Sequence, residues 1–310
     1  MSKLAVVALG AHSFSEDEGD RDGPGQLEAI CTSARYIVDL LVNGWNVVIA
    51  YDSVFQADLP GERLAHTPTL ASQWLPANCL PELQGRTGYL IQQSLDEELQ
   101  RRGLNRRSVC LLTRAILRSK SDEMAPSQLT GPHGRTAQAT EEARASKTQP
   151  AHPAVEVQST EEVGEIVEQE AIKTLLQAGF IVIAAAGSTV PVVRDSEGRL
   201  RAVEARLHGD LAASFLATQL NADLFLITMA AEKVTLSSPQ AEGAYPLEML
   251  TLAELRQYEA AGCFAGNQRI GSKIRAAIRY LEHGGGAALI TCPQAIGRAL
   301  AGRTGTWILP

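Results

Sequence analysis

Six short runs of unbroken apolar residues constrain this chain more than anything else in it: LAVVAL (4–9), WNVVIA (45–50), SVCLLT (108–113), GFIVIAAA (179–186), LFLIT (224–228) and AALIT (287–291). Each has the length of a strand, and none alternates apolar with polar residues. Such runs are expected in strands buried on both faces. Helical patterns lie between them. GQLEAICTSARYIVDLLVNG places Leu27, Ile30, Ala34, Ile37, Leu40 and Leu41 on one face, with Gly44 as a stop. GYLIQQSLDEELQRRG puts Ile91, Leu95 and Leu99 on one stripe and ends in basic residues and Gly103. EIVEQEAIKTLLQAG and KIRAAIRYLEHGG follow the same rule, and Gly284-Gly285-Gly286 reads as a turn from helix to strand. Repeated β-α alternation predicts an α/β fold, a three-layer αβα sandwich around a mainly parallel sheet.

Composition narrows the class. With 310 residues the chain can bury a sizeable core, and 45% hydrophobic with 20% charged residues is ordinary for a globular protein. A net charge of −7 argues against nucleic acid as the main partner. There is no apolar run long enough to span a membrane and no signal peptide, so neither a membrane nor secretion is expected. Cysteines 31, 79, 110, 263 and 292 form no C-x-x-C pair and read as buried thiols in a reducing, cytoplasmic setting. One segment breaks the pattern. Residues 119–162 contain no Phe, Trp or Tyr, and only Leu129, Val155 and Val157 among Ile, Leu and Val. That is too little to build a core, so the segment is expected to be a polar lid or a linker-like excursion from the main body.

The order of these pieces resembles the carbamate kinase family, within the amino-acid-kinase fold. LAVVALG is similar to that family's first strand and phosphate turn, and LQGRTGYLIQQ (83–93) nearly reproduces its "QG-x-x-GY" signature. EAIKTLLQAGFIVIAAAGSTVPVV resembles its helix-strand-glycine-loop unit, HGDLAASFLATQLNADLFLIT its next helix and strand, and LAGRTGTWILP its closing strand. The resemblance implies one domain over 1–310. A substrate-side half would span 1–178, with the excursion at 119–162, and a nucleotide-side half 179–310. It also implies reversible phosphoryl transfer between ATP and carbamate. That chemistry needs glycines for backbone approach to phosphates and lysines on the moving phosphoryl group.

Position by position, the motifs depart from this pattern. The family's Gly-Gly-Asn is Gly10-Ala11-His12 here. Its His-Gly-Asn-Gly-Pro-Gln is Tyr51-Asp52-Ser53-Val54-Phe55-Gln56, where only Gln56 matches. Val54 is β-branched and disfavours positive φ, while Asp52 would repel an anion. The lysine of "PTKP" is Gln128. The four-glycine loop is Ala186-Gly187-Ser188-Thr189, and Asp-Lys-Asp is His208-Gly209-Asp210, so the catalytic-type lysine is Gly209. Asp210 remains, either to orient a lysine or simply to cap the following helix. On the nucleotide side, AEKV (231–234) and the lysine of GSKI remain. They give Gly187, Glu232, Lys233 and Lys273 as nucleotide-binding candidates, although a lysine at a helix start is also at home in solvent.

The expected function is therefore a catalytically inactive pseudoenzyme with a structural or regulatory binding role. The vestigial catalytic candidates are Asp210 and Lys273, and the substrate-side candidates Gly10 and Gln56. No metal ligand is expected, and no cofactor beyond ATP or ADP with magnesium if nucleotide binding persists. The alternatives are an active phosphotransferase with a rearranged site and a nucleotide or metabolite sensor. The resemblance further implies a homodimer. A hetero-oligomer with an intact paralogue or a carbamoyltransferase is a second possibility for a regulatory subunit.

Overall fold

The computed structural model describes residues 3–10, 24–51, 76–118, 129–130, 155–157, 163–187, 189–203, 205–237 and 244–310. Strand β1 (Leu4–Leu9), helix α1 (Pro24–Val42), β2 (Asn46–Tyr51), α2 (Pro76–Arg101) and β3 (Ser108–Leu111) come first. After them come β4 (Arg114–Leu117), β5 (Leu129–Thr130), β6 (Val155–Val157), β7 (Val163–Ile166) and α3 (Gln169–Gln177). The middle contains β8 (Ile181–Ala185), β9 (Val190–Arg194), β10 (Leu200–Val203), β11 (Ala205–Leu207), α4 (Gly209–Gln219) and β12 (Leu224–Thr228). The chain continues through β13 (Thr235–Ser237), β14 (Ala244–Pro246), β15 (Met249–Thr251), α5 (Leu252–Ala260) and α6 (Gln268–Glu282). It closes with β16 (Ala287–Thr291), α7 (Ile296–Leu300) and β17 (Thr306–Leu309).

All six predicted apolar runs are strands of one eight-stranded sheet, in the order β15-β17-β16-β12-β1-β2-β8-β3. Every neighbouring pair is parallel except β16 with β17. The alternation of side chains across each strand divides the core in two. Ala5, Val7 and Leu9 of β1 face α1, α2 and α7, together with Val47, Ile49, Leu224 and Leu226. Val6 and Ala8 face the other way, towards α3 to α6, with Val48, Ala50, Phe225 and Ile227. This is the expected three-layer αβα arrangement.

Some boundaries differ from the sequence reading. β3 ends at Leu111, and Leu112 is 54% exposed, because the chain there leaves the large sheet for a second one, β5-β10-β9-β4-β7. Glu165 and Ile166 belong to β7, so the helix predicted from EIVEQE starts only at Gln169. α2 begins well before Gly88, at Pro76. Leu27, expected on the buried face of α1, is 47% exposed, whereas Ile30, Ala34, Ile37 and Leu40 are buried. Gly284 turns the chain at φ +86°, and a side chain at Gly286 would lie 2.6 Å from the Asp223 carbonyl oxygen. The excursion at 119–162 falls outside the described residues except at β5 and β6. Those two strands contain its three Leu and Val residues, Leu129 paired with Val203 and Val155 and Val157 paired with Ala205 and Leu207.

The connectivity places a crevice. From β1 the chain moves outward to β2 and β8 on one side, then returns to β12 on the other. The carboxyl ends of β1 and β12 therefore lie at a switch point in strand order, where open parallel sheets bind ligands.

Candidate functional site

Gly10 follows β1 directly at this switch point. Its amide donates to Thr228 Oγ1 at the end of β12 (3.0 Å), and that hydroxyl donates to the Ala8 carbonyl (3.0 Å). A methyl group at position 10 would sit 3.1 Å from the Thr228 carbonyl oxygen and 3.3 Å from Lys273 Nζ. The lack of a side chain is what admits the lysine this close to the strand end.

Lys273 reaches the crevice from α6, whose buried face includes Gly271, Ser272, Ile274 and Ala277. It is 8% exposed rather than solvated, and it sits in the second turn of α6, not at the helix start. Asp210, in the first turn of the neighbouring α4, meets it with both carboxylate oxygens at 3.0 and 3.1 Å. Both side chains are largely buried, at 10% and 11% exposure. Ser272 Oγ donates to Asp210 Oδ2 at 2.8 Å, with the Arg269 carbonyl as a second acceptor within 2.9 Å. His208, not Asp210, is the N-cap of α4, and it makes no side-chain capping bond. Gly209 is buried at the first position of that helix and brings no charge, while Lys273 of α6 is matched by Asp210.

Gly187 is buried just beyond the end of β8. A polar cluster beneath it fixes the turn. Thr189 Oγ1 donates to the Ala185 carbonyl (2.7 Å) and lies 3.4 Å from Thr113 Oγ1. The Gln84 amide pairs with the backbone of Thr113 on both sides, Oε1 accepting from its N–H (2.7 Å) and Nε2 donating to its carbonyl (3.1 Å). Tyr51 donates to the Gln84 carbonyl (2.7 Å), and burial, with Cys110 nearby, holds its phenol well above the usual range. Gln84 thus acts as one extra peptide unit between α2 and the sheet.

Glu232 and Lys233 occupy the loop after β12, each in its own ion pair. Glu232 accepts from Arg298 (2.5 Å) and Thr304 (2.8 Å), contacts that hold its carboxyl below the ordinary range. Lys233 pairs with Glu248 at 2.5 Å, and this lowers the Glu248 pKa.

Of the residues singled out in the sequence, the structure brings Gly10, Asp210 and Lys273 together and sets Gly187 at the end of β8, two strands away from β1. Ala11, His12, Asp52 to Gln56, Gln128 and Ser188 lie outside the described residues. Sequence reasoning passed over Ser272 and Thr228 and missed the structural role of Gln84. The "QG" of LQGRTGY had pointed to Gln84, but only as a family signature and not as a buried amide. Among the described residues no group of three or more His, Cys, Asp or Glu side chains converges to hold a metal ion, and no helix is long and apolar enough to cross a membrane.

The chain is similar to known proteins over its whole length. Residues 100–292 match the amino acid kinase family. The carbamate kinase-like protein YahI of Escherichia coli K12 is 32% identical, covering 100% of this chain and 99% of that protein. A carbamate kinase of Pyrococcus furiosus is also 32% identical, covering 100% of both. Among solved structures, a Giardia carbamate kinase superposes with a TM-score of 0.79 at 25% identity, over 99% of each chain.

Proposed function

Because this chain belongs to the amino acid kinase family, among its carbamate-kinase-like members, we propose that it keeps the family's frame as a catalytically inactive protein that acts by binding. One observation carries this reading. The polar groups at the switch point satisfy one another: the Gly10 amide is taken by Thr228, and Lys273 by Asp210, itself held by Ser272. Gly209 and Gln128 stand where the family pattern has lysines, and among the described residues at the switch point Lys273 is a cation that could meet a phosphoryl group. Each preorganised donor lost from such a transition state costs about 3–4 kcal/mol, or roughly 10²–10³ in rate. Two such losses need not add. Loop glycines replaced at 186–189 further weaken the positioning on which phosphoryl transfer depends.

The same residues bound what a nucleotide would meet. Gly187 and Lys273 would face its phosphates, while Glu232 and Lys233 would have to release their own ion pairs to contribute. Weak ATP or ADP binding, with or without magnesium, is the reading for this half. Homodimerisation is proposed with it, supported by the apolar surface that Tyr89 of α2 (62% exposed) and Leu112 (54%) leave open. Light scattering should give twice the monomer mass.

The test is direct. Purified protein given ADP and carbamoyl phosphate should form no ATP above the uncatalysed background. The competing reading, an active phosphotransferase, rests on the identity with the Pyrococcus furiosus enzyme. It would be established by turnover at about 1 s⁻¹, the low end for enzymes, that Lys273→Ala abolishes.

A further inference from the structure

A second cleft opens at the opposite end of the large sheet, and neither the family frame nor the reading above uses it. It is a half-open cleft of about 680 Å³, lined by Lys3, Trp45, Asp223, Leu300 and Trp307 among others. Its position follows from the topology. Lys3 precedes β1, Trp45 precedes β2 and Asp223 precedes β12, so all three stand at the amino ends of parallel strands. Trp307 comes from the antiparallel β17, paired with Leu289. The volume falls within the range of small-molecule pockets, roughly 300–1,000 Å³.

The lining has a definite chemistry. Trp45 and Trp307 are half-buried, and each leaves ring surface in the cleft. The Trp307 indole N–H is already committed to the Ala299 carbonyl (3.1 Å), so this ring offers only its apolar surface. Lys3 is exposed, and its ammonium hangs over the Trp45 ring at 5.6 Å from the centroid. Asp223, also exposed, uses Oδ2 to accept the Leu4 amide at 2.8 Å. That bond fixes the carboxylate beside the residue that follows Lys3, yet the two charges form no ion pair within 4 Å. An anion alone would be repelled by Asp223 and a cation alone by Lys3.

We infer that this cleft binds a free α-amino acid with an apolar or aromatic side chain. The ligand's carboxylate meets the Lys3 ammonium, its ammonium meets Asp223, and its side chain lies against the two indoles. Opposite charges on two neighbouring strands, Lys3 before β1 and Asp223 held on the Leu4 amide, stand apart beside an aromatic wall and match a zwitterion better than either of its halves. This inference is independent of the nucleotide site and of whether the protein is a kinase.

Tryptophan emission reads the cleft directly, since two of the chain's three tryptophans line it. In a Trp74→Phe background, titration with L-phenylalanine or L-leucine should change the emission saturably at sub-millimolar ligand, with matching heat in calorimetry. Lys3→Gln, a surface change, should weaken binding by about tenfold or more, the equivalent of one charged hydrogen bond. Asp223→Asn, which keeps an acceptor for the Leu4 amide, should do the same. 3-Phenylpropionate and phenethylamine, each lacking one charge, should bind at least about tenfold more weakly than phenylalanine. No saturable signal with either amino acid would overturn the inference. So would unchanged affinity in both variants, or analogues that bind as well as the amino acid.

Discussion

The ion pair between Asp210 and Lys273 should behave as a structural unit, and its energetics can be worked from the geometry. Each partner is about nine-tenths buried, and the ammonium touches both carboxylate oxygens at 3.0 and 3.1 Å. Removing one partner leaves an uncompensated buried charge, which costs about 3–5 kcal/mol. Lys273→Met leaves Asp210 with only the Ser272 hydroxyl, and Asp210→Leu leaves Lys273 with neither oxygen, so either single variant should lose that much. Replacing both by apolar residues of similar size removes the stranded charge, and such exchanges are often neutral. Ser272 then falls back on the Arg269 carbonyl. The double variant should therefore be no less stable than either single one, with a strongly non-additive cycle. Urea unfolding of the four proteins, followed by circular dichroism, measures it. Singles that cost less than about 1 kcal/mol, or a double whose loss equals their sum, would refute the claim that the pair is buried and mutually dependent.

Three further outcomes follow from named contacts. Glu98, 6% exposed, is held by Arg101 and then Arg102 with its carboxyl pKa lowered from 4.5 to about 2. Its stabilisation is complete above pH 4.5 and is lost as pH falls towards about 2; Glu98→Gln should flatten that part of a melting-temperature profile. Gly88→Ala would place a methyl 2.2 Å from Cys110 Sγ and 3.0 Å from the Tyr51 hydroxyl. It should destabilise by about 1–3 kcal/mol, and adding Cys110→Ala should recover most of the loss in thermal melts. Gly209→Lys alone should leave ATP formation from ADP and carbamoyl phosphate at background, because one restored charge does not restore the phosphate turns; activity rising well above background would count against the inactive reading.

How much of this was legible depended on how a residue is buried. β1, β12 and β16 were readable to the residue, because both faces of each strand are covered and the apolar run is unbroken. β4, β7 and β10 were not. They are four residues each, partly exposed, and belong to a second sheet whose pairing is mostly antiparallel, so no run stands out. At the site, Gly10, Asp210 and Lys273 could be named from a family pattern, but their union could not. It depends on α4 and α6 packing side by side on one face of the sheet, a relation that no local window contains. Ser272 and Thr228 escaped because a single hydroxyl carries no signal until its acceptor is known.

The position of β1 bears on how the molecule is made. One flank of this strand is covered by β2, which follows it closely, with Leu4 opposite Asn46. The other flank is covered by β12, with Ala5 opposite Leu224, and the Gly10 amide waits for a hydroxyl 218 residues further on. During synthesis β1 therefore has an open edge of unpaired amides and carbonyls, in a strand with five buried apolar residues, until most of the chain has emerged. Pairing over such separations forms late, and exposed strand edges of this kind recruit other chains. A nascent chain stalled, or a fragment cut, before Leu224 should aggregate through β1, and supplying the missing segment in trans should rescue it.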